Sequence, residues 1–389
     1  MTLPSTGSLS FSQISNEFGT PPNKNLGAYR ISQSVGSLSN IPLDNGIPQS
    51  GSISFSNFRG KKLNMVVDYH SASIQGSHRS GNYLANYNAR GRYNENYVTV
   101  IGGFKSRPSN TSNTKVYINV NQVIGSEKNS GNNTRVALRT GGWESETELI
   151  ILIGPNGGLY GAGGDGGRGG DADGSVYNFL TFWSGVAGGS GTSALGLDYS
   201  AKIINNGVIR RGYGGGGGGA SQWPTPIYTN SMLSFSSAGG GGGAGGSGYP
   251  AGAGGAGGSS LNDPYWGHPG SSGTNGTITS NGTPGNGNNF VFYYRPWGWN
   301  KGTGGTYSKT LYSGAGGNAE SPGNEETPYY CNTFFVSGSF YYPPVPYQCS
   351  PAVGSAGPAG YAIVKAANVT YTLEGNSLIG GVLNNTNPS

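Results

Sequence analysis

The sequence predicts a mainly β and irregular chain in three parts. These are a loop-rich N-terminal docking segment (residues 1–63), a small all-β sandwich-like module (64–153), and a bundle of polyglycine-II helices with inserted aromatic loops (154–389). Three observations carry that prediction: an internal echo at the start, a cluster of short β-branched runs after it, and glycine recurring every third residue beyond them.

The echo pairs Thr6–Ile14 (T-G-S-L-S-F-S-Q-I) with Ser50–Phe58 (S-G-S-I-S-F-S-N-F). In each copy a serine, Ser12 or Ser56, stands where an N-cap would precede a short helical turn. Gly19 and Gly60 are placed to end those turns. Pro21, Pro22, Pro42 and Pro48 lie between them, which argues for extended chain with little core of its own.

From Leu63 to Gly154 the pattern is strand-like. Met65–Tyr69, Tyr97–Phe104, Lys115–Ile124, Thr134–Arg139 and Glu148–Ile153 are short β-branched runs, mostly bounded by polar, glycine-rich turns. They read as a sandwich or jelly-roll-like module.

Between Gly157 and Gly170 the residues Gly158, Gly161, Gly164, Gly167 and Gly170 hold one register of three, and glycine nearly fills a second. The third register carries Leu159, Ala162, Asp165 and Arg168. A period of three fits polyproline-II geometry, with about 3.1 Å rise per residue and no internal hydrogen bonds. Such a helix has two bare faces, and its N–H and C=O groups must pair with a neighbour or with water. The pattern recurs over 239–258 and 267–285 and, more briefly, over 185–191, 214–219, 314–317 and 354–360, which argues for runs packed side by side. Collagen requires long unbroken G-X-Y rich in proline; these runs are short, mostly GGX and almost free of it. Disorder would suit a chain in which 75 glycines and 22 prolines supply about a quarter of the residues. The aromatic segments between the runs are foreign to disordered chains.

A composite unit also repeats: apolar strand, Asn-Gly or similar turn, apolar pair, glycine run. It appears at Glu148–Gly161, at Ala201–Gly214 and, more weakly, at Tyr361–Gly381. Repeats at uneven spacing indicate an array with loops inserted on one side.

Charge excludes several classes. Only 10% of residues are charged; residues 1–150 carry a net charge of +6 and the remainder −1. A nucleic-acid binder would concentrate Lys and Arg in a patch, and the glycine-rich part does not. No window approaches 18 apolar residues, so no transmembrane helix is expected. The opening M-T-L-P-S-T-G-S lacks the basic and apolar regions of a secretory signal, which predicts synthesis in a cytoplasm without a signal peptide.

The candidate chemical motifs are weak. Gly161–Gly166 satisfies GxGxxG, but no βαβ unit surrounds it. Gly166–Gly174 fits the calcium nonapeptide in all but Asp173, and a single copy cannot build a β-roll. Asp165, Asp171, Asp173, Asp198, Asp263, Glu320, Glu325 and Glu326 offer no marked pair for glycoside hydrolysis. His70, His78 and His268 have no metal-ligand spacing. The expectation is no catalytic residue, no metal and no cofactor. Cys331 and Cys349, the two cysteines, leave open a disulfide or two buried thiols.

The strongest binding signal is aromatic. Trp223 and Tyr228; Tyr265 and Trp266; Tyr293, Tyr294, Arg295, Trp297 and Trp299; and Tyr329, Tyr330, Phe334, Phe335, Tyr341, Tyr342 and Tyr347 all fall between glycine runs. Such rings either cap the ends of a bundle or form contact residues on rigid loops.

The opening L-P-S-T-G-S-L-S-F-S-Q-I and the segment I-P-Q-S-G-S-I-S-F-S-N-F-R-G-K-K resemble N-terminal segments of structural virion proteins from tailed phages, marine ones especially. I-I-N-N-G-V-I-R-R-G-Y-G-G-G-G-G-G resembles the glycine-rich receptor-recognising adhesins at the tail-fibre tips of T-even-like phages, over residues 148–389. That resemblance implies a sandwich of polyglycine-II helices whose distal loops contact a host surface protein or glycan. It also implies a place in the virion tail, with residues 1–63 docking on other virion tail proteins. The competing readings are a structural baseplate or fibre connector and an extracellular glycine-helix protein such as an ice-binding one.

Overall fold

The structure is a computed structural model. It describes residues 3–30, 32–35, 38–44, 46–69, 73–74, 98–101, 104, 113–128, 133–141, 143–171, 184–229, 232–260, 267–287, 289–294, 307–312, 329–333, 336–337, 340–341, 345–349 and 353–384.

The N-terminal segment has a core, contrary to the expectation of extended chain. Helix α1 (Phe11–Phe18) and a 3₁₀ turn at Phe55–Phe58 are the two copies of the echo. Strands β1 (Ser32–Val35) and β2 (Leu38–Pro42) form an antiparallel ribbon between them. Leu3, Ile14, Phe18, Tyr29, Leu43, Ile47, Phe58 and Leu63 converge into one buried cluster. The Tyr29 ring lies edge-on to Phe18, Phe58 and Phe104, at 5.9, 5.5 and 5.6 Å. Edge-to-face rings at such separations add to ordinary burial. The caps are Ser10 and Ser54, two residues before the expected Ser12 and Ser56. Each serine N–H donates to the side chain three residues on, Gln13 or Asn57, at 2.8 Å. That reciprocal partner fixes the cap position. Gly19 ends α1 at φ +87, and Gly60 follows the 3₁₀ turn at φ +68.

Beyond residue 64 the chain winds as a three-sided parallel β-solenoid. Its first strands are β3 (Met65–Tyr69), β4 (Ser73–Ile74) and β5 (Val98–Ile101), then β6 (Lys115–Val120), β7 (Val123–Gly125) and β8 (Val136–Arg139). They continue as β9 (Glu148–Ile153), β10 (Gly158–Tyr160), β11 (Ser193–Leu197), β12 (Ala201–Asn205) and β13 (Val208–Arg210). Four hairpin strands follow: β14 (Gln222–Thr229), β15 (Met232–Ala238), β17 (Asn289–Tyr294) and β18 (Tyr307–Tyr312), with the short β16 (Gly267–His268) between the pairs. After them come β19 (Tyr329–Thr333), β20 (Val336–Ser337), β21 (Phe340–Tyr341) and β22 (Val345–Cys349). The solenoid closes with β23 (Ile363–Lys365), β24 (Tyr371–Gly375) and β25 (Val382–Asn384).

Three sheets make the sides of the solenoid, ordered β24-β12-β9-β6-β3-β5, β13-β10-β7-β4 and β25-β23-β11-β8. Residues stack in columns from coil to coil: Val67, Ile118, Ile151, Ile203 and Leu373 on the first side. Ile124, Leu159 and Ile209 stack on the second, and Leu138, Leu195, Ile363 and Val382 on the third. Most of these columns make up the main buried cluster. The sandwich-like module expected over 64–153 is therefore the start of this solenoid, and its sheets take in strands as far as residue 384. Pairing is parallel because each strand rejoins its sheet after a full circuit instead of a hairpin. Only β5 pairs antiparallel in these three sheets.

The glycine runs interrupt two of the circuits between the second and third sides. Runs 1 (161–171) and 2 (184–192) leave after β10 and return at β11. Runs 3 (211–221), 4 (239–248), 5 (250–259), 6 (269–277), 7 (281–287) and 8 (353–361) leave after β13 and return at β23. Their backbone is neither helix nor strand, and it bonds from run to run at every third residue. Gly164, Gly167 and Gly170 donate to Tyr213, Gly216 and Gly219 at 2.8–2.9 Å. Gly163, Gly166 and Gly169 donate to Pro250, Ala253 and Ala256 on another side. Tracing all such bonds orders the runs as two facing rows, 6-5-1-2 and 7-4-3-8.

Close approach explains the composition. An ideal Cβ on Gly164 would overlap the Gly189 carbonyl, and one on Gly245 the Gly252 carbonyl. Backbone cannot step aside without breaking the bonds it makes. Gly164→Val and Gly245→Val are expected to cost at least about 3 kcal/mol each. Gly381→Ala, whose nearest neighbour would be the Tyr361 ring at 3.8 Å, should change stability little. Equal melting shifts at all three positions in a thermal series would contradict the packing.

Candidate functional site

Run direction decides which residues share an end of the bundle. Run 1 climbs away from the solenoid and run 2 returns, and the alternation continues through run 8. At the near end runs 4 and 5 are joined by a turn at 248–250 and runs 6 and 7 by one at 277–281. Every longer connection within the bundle leaves from and returns to run ends at the far end. These are residues 172–183, 222–238, 260–268 and 288–352, and the last three hold all the aromatic candidates.

The far-end connections contain antiparallel hairpins. β14 and β15 pair with Tyr228 opposite Leu233, β17 and β18 with Tyr294 opposite Tyr307, and β19 and β22 with Tyr330 opposite Gln348. β20 and β21 pair Val336 with Tyr341. These strands place the backbone of Trp223, Tyr228, Tyr293, Tyr294, Tyr329, Tyr330, Tyr341 and Tyr347 at the far end. Tyr265, Trp266, Arg295, Trp297, Trp299, Phe334, Phe335 and Tyr342 lie outside the described residues. Cys331 stands opposite Tyr347 and Cys349 opposite Tyr329, two rungs apart on facing strands.

The near end is fastened by charge and hydrogen bonds. Arg210, the last residue of β13, donates from Nη2 to the Thr279 carbonyl at 2.7 Å, which ties the 277–281 turn to the solenoid. Arg210 and Arg211 both stack on Tyr213, with guanidinium carbons 5.5 and 4.7 Å from its ring centre. Burial pushes the Tyr160 hydroxyl pKa up, and Arg210 partly offsets it. At the other junction Lys62 is buried beneath the N-terminal core, and burial lowers its amine pKa against the opposing pull of Glu17, Glu144 and Glu146.

Three acidic candidates have structural partners. Asp198 holds Arg139 through two bonds of 2.8 and 3.0 Å. Asp165 accepts the Ala253 N–H and the Lys128 ammonium, each at 2.6 Å. Asp171 accepts the Ser259 N–H at 2.7 Å and Arg168 at 2.6 Å. Asp165 and Asp171 sit in the third register of run 1, two turns apart, and replace the missing neighbour of run 5. Asn275 and Ser272 do the same for Gly254 and Gly257. Sequence reasoning missed this role, although the three-residue spacing of polar side chains on otherwise bare runs was its signal. Asp173, Asp263, Glu320, Glu325, Glu326, His70 and His78 lie outside the described residues. No three His, Cys, Asp or Glu side chains cluster as metal ligands among the described residues. The GxGxxG match lies within run 1, where Gly161, Gly163, Gly164 and Gly166 each abut a carbonyl of a neighbouring segment.

If Asp165 acts by accepting a backbone N–H, Asp165→Ala should cost about 1 kcal/mol. Asp165→Asn, which keeps the acceptor and loses only an exposed ion pair, should cost a few tenths at most. Equal losses for both variants in chemical denaturation would mean that Lys128 is the partner that matters.

The model of the phage tail fibre adhesin Gp38 family matches residues 83–383. The match therefore begins in the sequence between β4 and β5, well ahead of the motifs at 148–389 that carry the resemblance. Among solved structures, the chain is similar to the gp37–gp38 adhesin tip complex of the bacteriophage S16 long tail fibre. Identity is 18%, coverage is 97% of this chain and 99% of that one, and the TM-score is 0.37. No curated protein matches the chain. With more than three quarters of its length matched by the family model, the chain belongs to the Gp38 family of phage tail fibre adhesins.

Proposed function

We propose that this adhesin binds a host cell-surface receptor through the aromatic connections at the far end of the bundle, and that the bundle is a rigid stack of polyglycine-II helices which presents them. The observation that carries the reading is the asymmetry of the bundle. One end is occupied by the solenoid and two tight turns, and the long, aromatic-rich connections all depart from run ends at the other. Hydrogen bonding at every third residue, in different directions from successive residues, supports polyglycine II. Binding alone, without chemistry on the receptor, is the activity proposed; the acidic residues Asp165, Asp171 and Asp198 are engaged in holding the scaffold.

The part after residue 150 has a net charge of −1, so long-range attraction contributes little affinity. Stacking and apolar contact remain, and an aromatic anchor of an interface costs about 2 kcal/mol or more when truncated. Trp297→Ala and the pair Tyr341→Ala/Tyr342→Ala are expected to lower binding to host cells at least tenfold without shifting the melting temperature. Normal adsorption by both would place recognition elsewhere, whereas early melting of both would make the rings core.

Residues 1–63 are proposed to attach the adhesin to another virion tail protein. Their core is separate from that of the solenoid, and Phe55, in the second copy of the echo, is 40% exposed. A chain lacking residues 1–63, with Phe104→Ser to remove the ring their loss uncovers, should bind cells yet be missing from purified particles. Its recovery in particles would overturn the attachment role.

A further inference from the structure

Asparagine followed by glycine is the dipeptide most open to spontaneous deamidation, because no side chain on the second residue shields the first. The glycine amide nitrogen attacks the asparagine Cγ, so both atoms must be free to approach to about 3–3.5 Å. The sequence has six such steps, at Asn45, Asn156, Asn206, Asn275, Asn281 and Asn286. Asn45 lies outside the described residues.

At four of the other five, the attacking nitrogen is committed. Gly157 donates to the Gly154 carbonyl at 2.8 Å, Gly276 to that of Gly252 at 2.9 Å and Gly282 to that of Gly245 at 2.8 Å. Gly207 is buried and donates to Asn205 Oδ1 at 3.2 Å. Two of the asparagine side chains are held as well. Asn275 Oδ1 accepts the Gly254 N–H at 2.9 Å, and Asn281 Oδ1 accepts the Ser247 N–H at 2.8 Å.

Asn286 is different. Its backbone is fixed to run 6, the N–H donating to Ser271 Oγ at 2.7 Å and the carbonyl accepting the Ser271 N–H at 3.0 Å. Its exposed side chain and the Gly287 N–H have no hydrogen-bond partner among the described residues. The register explains this. Gly287 falls in line with Asn281 and Pro284, and proline has no N–H. Run 7 therefore donates to its neighbours from its other two registers, Gly282 and Gly285 to run 4, Thr283 and Asn286 to run 6.

We propose that Asn286 is a site of spontaneous modification, converted to aspartate and isoaspartate in the folded adhesin ahead of Asn156, Asn206, Asn275 and Asn281. The conversion consumes only water. Gly287 N bonds to Asn286 Cγ and loses its proton, the side-chain amide leaves as ammonia, and a succinimide ring results. Water then attacks one of the two ring carbonyls. At Cγ it leaves an ordinary main chain with an aspartate; at the α-carbonyl it routes the chain through the former side chain as isoaspartate. Either product adds a negative charge, and isoaspartate also lengthens the main chain by one carbon. The change falls at the end of run 7, where the connection 288–352 departs, and leaves the bonds of runs 1–5 intact.

The full-length adhesin tests this directly. It is incubated folded, and in parallel unfolded in denaturant, while peptide mapping by mass spectrometry follows each Asn-Gly step. In the folded chain Asn286 should convert at least tenfold faster than each of the other four. Its rate should rise with pH, because the attacking nitrogen must lose its proton. In the unfolded chain the five rates should converge to within a few-fold. Asn286→Gln, whose longer side chain closes a ring far more slowly, should suppress conversion at that position with no change in melting temperature. An Asn286 that keeps its amide in the folded chain, or converts no faster than Asn275 and Asn281, would overturn the proposal. Undiminished conversion in the Gln variant would overturn the succinimide route.

Discussion

A backbone without internal hydrogen bonds must find its partners in other chains or other segments, and this constraint governs the glycine-rich part of the molecule. Every run bonds to two or more neighbours, so its backbone groups are satisfied only within the array. The same constraint explains the composition. A carbonyl approaches so closely at one or two registers of each run that no side chain fits there, and the side chains are confined to the remaining positions. Where the lattice ends, as on run 5, side-chain oxygens of Asp165, Asp171, Asn275 and Ser272 stand in for the absent carbonyls.

The solenoid supplies what the bundle cannot make for itself. Its columns of Val, Ile and Leu hold β10, β11, β13 and β23 in fixed parallel register, and those strands are the roots of runs 1, 2, 3 and 8. Four of the eight runs thus begin or end on a conventional apolar core. Runs 4, 5, 6 and 7 are joined to it only through other runs and through contacts such as that of Arg210 with Thr279. An order of dependence results: apolar core, rooted runs, unrooted runs, far-end hairpins.

Much of this was legible in the sequence, and the reasons for the rest are specific. Glycine at every third position has few alternative explanations, so the packed runs could be read directly. The composite unit at Glu148, Ala201 and Tyr361 marked three successive coils. The solenoid itself stayed hidden because the inserted runs part its second side from its third in two circuits, so that no period survives from Leu195 to Ile363. The N-terminal core was missed because Leu3, Ile14, Tyr29, Leu43 and Phe58 follow neither a helical nor a strand period, and converge only through loops. The caps at Ser10 and Ser54 could have been found, since Gln13 and Asn57 three residues later complete each capping box. The far-end hairpins were visible as aromatic segments, but their mutual order depends on which runs are neighbours, which only the hydrogen bonds reveal.

The near-absence of apolar side chains from the glycine runs has a thermal consequence. Heat capacity of unfolding arises mainly from hydrating apolar surface, and exposing polar backbone lowers it. A unit held together by backbone hydrogen bonds should therefore have a flatter stability curve than the solenoid beside it. The hydrophobic contribution weakens on cooling, and the solenoid feels that loss while the bundle largely escapes it. The glycine bundle is thereby suited to keep its shape in cold water as well as warm.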